Sequence, residues 1–542
     1  MNRLKNRLSA APHWGACVFL LVAAVAAATG ASPGREDLPK LGGMIRVRDF
    51  TTSLKPNLDP AVASWVFATE QIFEGLVRLD NRLDLVPSLA EYWMVSEDRC
   101  RMTFILKRGV RFHHGREFDA QDVKYSFERL LRRETKSPYA GLLAGKIVGA
   151  EEFWDGKAAE VTGFRAPEKY VFEVSWKAPS VASLYLLSMS FCKILPRDKL
   201  IEEGAGFFDK PSGTGPFRFA NWMRSPQLDI VGVHLDRFEQ YHGRKAYLDH
   251  VEYSPYLTVD HFMSGDADIM PFLSDRMANS GCQAVVGVPY KESYLGFSCQ
   301  IPPFDRSVVR RAVAAAINKD RLIEAAQAPD RVRRQASSYI PSGLPGFLPL
   351  EETSHFDSEQ ARRLLDELGY SGERRFPSLL LFVLKPRAEA PMRLAREIAA
   401  QLDAVGISVS IRTYTKADDL LDVRTPYLTF FTWLMDYPDA ENIILPLFGQ
   451  GTDGLQFLIH YSSPALDKLL EESAAEKSWT RRIELFHRME KLLGQDMPAV
   501  PLFTEEERLA VQSYVRGVRM PPLGSSYLDA KDLWLDRRSP RP

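Results

Sequence analysis

The chain has 542 residues, of which 45% are hydrophobic, and this is enough apolar material for more than one core. Its formal net charge is −1, so no nucleic-acid or anionic-membrane partner is indicated. The sequence has no fixed-period repeat, which excludes solenoids and propellers.

A secretory signal peptide is predicted at residues 1–31. Arg3, Lys5 and Arg7 precede an apolar run at residues 16–28, and small residues follow the run as far as Ala31. The run is shorter than the roughly 20 apolar residues of a membrane-spanning helix, so cleavage is favoured over the alternative of a retained anchor. We therefore expect an unlipidated mature protein in the periplasm.

The cysteines that remain after cleavage do not have the spacing of a zinc or redox motif. In an oxidising compartment they are able to form up to two disulfides, and three pairings stay open. These residues are Cys100, Cys192, Cys282 and Cys299.

Alternating strands and a capped helix are predicted in the first half of the chain. Ile45 and Val47 alternate with positions 44, 46 and 48, which is typical of a strand with one buried side. Asp119 can cap a helix that has Asp122 at its third position. Residues 171–176 alternate again as a strand. The apolar face of the helix consists of Val123, Phe127, Leu130 and Leu131.

Helices and strands alternate in the second half, which indicates an α/β fold. Asp357 can cap a helix that ends at Gly369. Another helix ends at Gly406, and the alternation at 407–411 that follows at once predicts a strand. A last long helix is predicted to end at Gly494.

Several segments, taken together and in order, carry a resemblance that spans nearly the whole mature chain. They are IFEGLVRL at 72–79, LVPSLAEYW at 85–93, FILKRGVRFHHG at 104–115, DVKYSFERL at 122–130, GTGPF at 213–217, YLGF at 294–297, RRAVAAAI at 310–317, DYPDAENIILPLF at 436–448 and AVPLF at 499–503. Their order resembles the bacterial extracellular solute-binding proteins of family 5, which serve oligopeptide, dipeptide and nickel transporters. His114 and Ser298 depart from residues common in that family, which leaves the ligand open.

The resemblance implies a periplasmic-binding-protein-like type II fold of class α/β. It has two lobes, an inserted subdomain and a hinge. By this likeness, lobe I is expected at residues 40–57, 190–285 and 500–542, and the inserted subdomain at 58–189. Lobe II is then expected at 286–499. The two crossings between the lobes are expected near 286–290 and 497–503, where prolines stiffen the connectors.

The candidate ligand-binding residues surround the end of a predicted strand at 428–434. Such a strand can pair with a peptide backbone, and a carboxylate in the loop after it can hold an ammonium terminus. In the peptide-binding members an aspartate at the start of DYPD does this, and Asp436 matches it. Asp439 suits a helix cap better than a ligand contact. Trp433 suits ligand stacking or the core equally. Leu434 and Tyr437 adjoin these residues and complete the predicted strand-end site.

Lys55 and Phe503 are two further candidates, since the resemblance places them in the other lobe and the hinge. His113 and His114 are not expected to bind metal, because neighbouring side chains of a strand point to opposite faces. Ser190 and Lys193 have the Ser-x-x-Lys spacing of some serine enzymes, but the Lys-Thr/Ser-Gly element is missing. No catalytic residue, metal or cofactor is predicted.

The sequence thus predicts the binding component of an ABC importer. Its expected partners are a di- or oligopeptide and an inner-membrane permease with ATPase subunits, and the protein itself is expected to be a monomer. The alternative ligand is a nickel chelate, haem, an opine or an oligosaccharide. A transcriptional regulator built on the same ligand domain would need a DNA-binding region where this chain has the predicted signal.

Overall fold

The computed structural model describes residues 38–49, 57–62, 66–179, 182–326, 332–350, 356–370, 375–385, 389–420, 422–450, 458–521 and 523–536. The predicted signal peptide and Lys55 lie outside these residues. By its contacts, the chain from Leu41 onward forms a single unit.

The first described elements are strand β1 (Met44–Arg48) and helix α1 (Val66–Ile72). Ile45 and Val47 are fully or almost fully buried while the residues between them are half-buried, so the predicted one-sided strand is confirmed.

The chain then forms an antiparallel sheet, with strand order β4-β5-β7-β6, that packs against a helix. The capping prediction is confirmed, since Asp119 accepts a hydrogen bond from the Asp122 amide and Asp122 accepts one from the Asp119 amide. The elements are β2 (Val77–Leu79), β3 (Leu85–Pro87), β4 (Ala90–Val95), β5 (Arg101–Leu106), α2 (Ala120–Leu131), α3 (Ala140–Ala144), α4 (Ala150–Trp154), β6 (Phe164–Glu168), β7 (Val171–Ser175) and α5 (Ser183–Leu186).

The next stretch returns to the strand with which the described chain began. β1 lies parallel to β10 and β11, between them, and β10, β9 and β8 continue the sheet antiparallel to one another. The elements are α6 (Arg197–Glu203), β8 (Phe217–Arg224), β9 (Ile230–Arg237), β10 (His250–Ser254), α7 (Val259–Met263), β11 (Ile269–Met270), α8 (Asp275–Ala278) and β12 (Gln283–Gly287).

The second half has the predicted alternation of helices and strands. Asp357 caps α11, and Gly369 and Gly406 follow their helices with positive φ. The elements are β13 (Lys291–Phe297), α9 (Ser307–Ala315), α10 (Lys319–Ala325), β14 (Val332–Gln335), α11 (Ser358–Glu367), β15 (Leu379–Leu384), α12 (Ala390–Asp403), β16 (Val409–Tyr414), β17 (Tyr427–Leu434), α13 (Glu441–Phe448), α14 (Pro464–Ala475), α15 (Trp479–Asp496), β18 (Ala499–Val511), β19 (Val515–Arg516) and β20 (Trp534–Leu535).

The predicted end of the last long helix at Gly494 is wrong, because α15 continues to Asp496. Its cap is Met497, which takes the left-handed conformation at φ 49°. A Cβ on Gly494 would lie 3.2 Å from the Leu350 side chain, so close packing rather than helix termination accounts for this glycine.

β18 connects two groups of strands, β13 to β17 on one side and β1 with β8 to β12 on the other. Residues 499–506 pair with β13 and β14, whereas Glu507 to Val511 pair with β12 and β11. The change of partner thus follows Glu506, a few residues beyond the 497–503 stretch expected as a crossing. The other passage, between β12 and β13, spans residues 288–290.

Three large groups of buried apolar side chains accompany this arrangement. One draws its residues from positions 294–503, a second from 61–194 together with Tyr437, and a third from 45–73, 195–269 and 509–535. The three groups are thus separate hydrophobic cores.

The four cysteines predicted to survive cleavage are all unpaired thiols. Cys192 and Cys299 are buried, and burial raises the pKa of both, that of Cys299 to about 12. Their thiols are therefore protonated and unreactive at neutral pH.

The GTGPF segment packs directly on the end of α1. A Cβ on Gly213 would lie 1.9 Å from the carbonyl oxygen of Ile72. His113 holds the same turn, since its Nδ1 accepts from the Gly213 amide at 3.2 Å and its Nε2 contacts the Gly215 oxygen at 3.0 Å. Both imidazole nitrogens are thus used by the backbone.

Replacing Gly213 with alanine is expected to lower the free energy of unfolding by about 2–3 kcal/mol, because backbone must move to admit the methyl group. Equilibrium urea unfolding measures the loss. Gly206→Ala is the matched control, since a Cβ there meets nothing within 4 Å. Equal stability of the two variants would contradict the packing argument.

Candidate functional site

A cavity of about 150 Å³ opens between β17's end and the other half of the chain. On the order of ten waters fit in this volume. Among the described residues that line it, Asp436 alone comes from the stretch 286–499, and the rest come from 70–88, 188–241 and 521–531. The cavity is therefore a cleft to which the predicted strand-end loop contributes one carboxylate.

Asp436 is held in place by Asn442 on the helix that follows it, α13. Its amide donates to Asn442 Oδ1 at 2.7 Å, and Asn442 Nδ2 donates to Asp436 Oδ2 at 3.3 Å. Burial raises the pKa of the Asp436 carboxyl, and the Asn442 hydrogen bond only partly offsets this. No Lys, Arg or His pairs with Asp436 within the described ranges. A cation that entered the cleft would therefore find a poorly solvated, uncompensated carboxylate.

The strand before Asp436 has an incomplete ladder on one side. β17 pairs with β13 along its length as far as Leu434, whereas β15 pairs with it only from Tyr427 to Phe430. Residues 431–434 have no strand partner on the β15 side in the described part of the chain. Such an edge can accept an extended backbone.

Trp433 and Leu434 stand on opposite faces of this edge. Trp433 is half-buried and packs against the apolar group of residues 294–503. Its Nε1 is buried and has no hydrogen-bond partner among the described residues. Leu434 is exposed and lies opposite Lys291 on β13.

The Asp439 carboxylate is buried and ion-paired inside the fold. Arg482 from α15 makes a bidentate pair with its carboxylate, and Asp439 Oδ1 accepts from the Glu441 amide at 2.9 Å. Ala440, not Asp439, is the N-cap of α13, although the Asp439 carboxylate still serves one amide of the first turn. Only 1% of the Asp439 side chain is exposed, so its carboxylate contacts Arg482 in the interior and does not line the cleft.

Tyr437 is buried against the inserted region. Its ring stacks on Tyr185 with centroids 5.8 Å apart and an angle of 11°. Lys146 Nζ lies 3.8 Å from Glu441 nearby, and Lys477 Nζ donates to the Glu97 carbonyl at 3.4 Å. The loop that carries Asp436 is therefore pressed against residues of the 58–189 stretch.

Phe503 lies away from the cleft. It is 1% exposed, belongs to the apolar group of residues 294–503, and is covered by the Arg333 guanidinium at 5.4 Å from the ring centre. Phe503 is therefore a core residue in this structure and does not make the ligand contact that was expected of it. Lys55, the remaining candidate, falls outside the described residues.

The opposite wall of the cleft contains charged side chains that were not predicted to be ligand contacts. Lys193 Nζ pairs with Glu70 Oε2 at 2.7 Å, which commits this lysine to an ion pair. His242 Nε2 lies 2.8 Å from Glu74, and Tyr241 donates to the same carboxylate. Burial would raise the pKa of Glu74, but the hydrogen bond and charge of His242, together with the Tyr241 hydrogen bond, hold the pKa below its ordinary value.

A signal for part of this wall was present in the sequence. Glu74 stands within the IFEGLVRL block that carries the resemblance. Glu70 and Lys193 come from distant segments, and only folding brings them together. One wall of the cleft therefore carries the Lys193–Glu70 and His242–Glu74 pairs, whereas Asp436 on the other wall has no basic partner among the described residues. A cleft with a few convergent polar groups is typical of a solute-binding protein.

Comparison with known proteins agrees with this class. The model of the bacterial extracellular solute-binding proteins, family 5, matches residues 84–454. The dipeptide-binding protein of Escherichia coli is 25% identical over 82% of this chain and 86% of its own length. Haem-binding protein A of Haemophilus influenzae is also 25% identical, over 85% and 86%.

A solved structure shows the same fold. The periplasmic binding protein DppA of Helicobacter pylori, in complex with the peptide STSA, superposes with a TM-score of 0.72 at 23% identity. The superposition covers 92% of this chain and 99% of that one.

The chain belongs to the bacterial extracellular solute-binding proteins of family 5. It is accordingly a solute-binding component of an ABC transporter and not an enzyme. Among the described residues, no helix is both long enough and apolar enough to cross a membrane.

Proposed function

We propose that this protein captures a di- or oligopeptide in the cleft and delivers it to an inner-membrane permease. The observation that carries the proposal is Asp436, a half-buried carboxylate with a raised pKa that faces the cleft and has no cationic partner in the described part of the chain. A peptide's terminal ammonium supplies the missing charge. The resulting charge-assisted hydrogen bond is strong because the surroundings exclude much of the water.

The unpaired edge at residues 431–434 supports the same proposal. A peptide that lies along this edge exchanges backbone hydrogen bonds with β17 whatever its side chains are. Its amino terminus then comes close to Asp436, two residues beyond the strand end. Trp433 and Leu434 offer contacts on the two faces of the bound backbone.

Two contacts across the cleft support the proposal that it closes over the ligand. The Tyr437–Tyr185 stack and the Lys146–Glu441 pair join the Asp436 loop to the inserted subdomain. A ligand that binds Asp436 and the opposite wall at once stabilises this closed arrangement over an open one. The permease then recognises the closed protein, which acts as a monomer in the periplasm after removal of residues 1–31. ATP is hydrolysed by separate subunits.

Haem is the second candidate ligand, since a haem-binding relative is as similar as a dipeptide-binding one. The two ligands differ in what they require of the site. A peptide requires a carboxylate for its ammonium group and an open strand edge, both of which are described above. Haem requires an extended apolar slot, whereas several charged side chains line this cleft.

Mass spectrometry of the ligand released on denaturation tests the proposal. The protein is purified from its native host without added ligand, and the released fraction is compared with that from an Asp436→Asn variant prepared in parallel. Peptides with free amino termini are expected from the wild type and depleted in the variant. A haem absorption band, or a released solute that is not a peptide, would overturn the proposal.

A further inference from the structure

Two neighbouring strands far along the sheet from β17 present a cluster of imidazoles and carboxylates on one face. His250 lies directly opposite Asp236 in the β9–β10 ladder, and His234 lies opposite Glu252. Because side chains two apart on a strand share a face, all four point to the same side. None of the four lines the cleft.

Three of these residues converge on one point. His250 Nδ1 is 2.8 Å from Asp236 Oδ1, and His234 Nε2 is 3.3 Å from the same oxygen. Their potential ligand atoms all lie within 4.8 Å of one another. Ligand atoms around a zinc ion at about 2.0–2.2 Å are separated by about 3.3 Å, so only small side-chain movements would be needed.

Glu252 orients the His234 ring through the nitrogen that does not face Asp236. Its Oε1 lies 3.0 Å from His234 Nδ1, and its Oε2 accepts from Arg46 Nε at 2.5 Å. When an ion is bound, a neutral His234 that donates through Nδ1 to Glu252 would present the lone pair of Nε2 to the metal. A carboxylate behind a histidine ligand is the usual second partner of a metal-bound imidazole.

We propose that His234, Asp236 and His250 form a binding site for a Zn²⁺ ion on the surface of lobe I, separate from the ligand cleft. Two imidazoles and one carboxylate suit zinc rather than magnesium or calcium, which prefer oxygen ligands. The three side chains are 19%, 30% and 44% exposed, so an ion reaches them from solvent and keeps a fourth position for water.

One basic side chain competes for the site. Arg218 Nη2 lies 3.8 Å from Asp236 Oδ2, and 52% of the Arg218 side chain is exposed. It therefore turns into solvent at little cost when the ion binds. No metal site was predicted from the sequence. These three ligands lie on two strands, and only the register of the ladder brings them together.

Isothermal titration of tag-free, chelator-treated protein with zinc chloride tests the site. One equivalent of Zn²⁺ is expected to bind saturably, and excess Mg²⁺ is expected not to compete. Glu252→Gln should weaken binding by about 10–100-fold, as for other residues behind a metal ligand. His250→Gln and Asp236→Asn should each weaken it further.

His487→Gln, on α15 in the other half of the chain, is the matched control and is expected to bind zinc like the wild type. Far-ultraviolet circular dichroism without zinc shows whether each variant is folded. Zinc binding that persists unchanged in a folded His250→Gln, Asp236→Asn double variant would overturn the proposal, and so would the absence of saturable binding in the wild type. Both outcomes leave the peptide proposal untouched, because it depends on Asp436.

Discussion

Replacing Arg482 with methionine is expected to lower the free energy of unfolding by about 3–5 kcal/mol. The guanidinium pairs with Asp439 and lies 3.4 Å from Glu441, and it also donates to the Ser473 carbonyl at 3.1 Å. Only 1% of the Arg482 side chain is exposed. Its removal therefore leaves the buried Asp439 carboxylate without a cation, and it leaves Glu441 with Lys146 alone, at 3.8 Å. Equilibrium urea unfolding measures the loss.

Arg488→Met on the same helix is the matched control. Arg488 lies 3.6 Å from Glu472, but both side chains are largely exposed, and such a pair contributes little to stability. Adding Asp439→Asn to the Arg482 variant should restore part of the lost stability, since it removes one uncompensated charge. Similar stabilities of the Arg482 and Arg488 variants would show that the buried pair does not hold the loop.

Asp436→Asn is expected to weaken binding of trialanine by about 30-fold or more relative to the wild type. The loss is large because the ammonium group would remain buried opposite a neutral amide. N-acetyl-trialanine has no terminal charge, so its affinity should change little. Isothermal titration of both peptides measures the difference between them.

Asp529→Asn controls for any acid that lines the cleft. Asp529 lies 3.7 Å from Lys531 and is thus already compensated, so its replacement should affect both peptides alike. Asp436 binds an ammonium group only when ionised. The affinity for trialanine should therefore fall as the pH drops through the raised pKa of Asp436, while that for the acetylated peptide should not. Equal losses for both peptides in Asp436→Asn would remove the proposed role.

Local patterns in the sequence were sufficient for the elements whose signals lie within one or two turns. The Asp119 capping box, the glycines after α11 and α12, and the alternation of β1 each depend on neighbouring residues alone. The helix end predicted at Gly494 was wrong because glycine is also used where side chains pack closely, here against Leu350. The sequence offers no local distinction between these two uses.

The candidate site could be predicted only in part for a similar reason. The strand at 427–434 and the carboxylate after it are contiguous, so their juxtaposition was readable. Asp439 was predicted to suit a helix cap better than a ligand contact, but its buried pair with Arg482 was not predicted, because Arg482 lies on another helix. Phe503 likewise entered the core through pairing that its own segment does not reveal.

The sequence by itself determined the family, the α/β class and the position of Asp436 at the end of a strand, because ordered motifs, hydrophobic periodicity and caps are properties of contiguous residues. Only the tertiary structure decided which charges are compensated, which edge of β17 is open, and which histidines meet across a ladder. Those properties depend on residues distant in sequence that folding brings within a few ångströms of one another, and no local pattern encodes that distance.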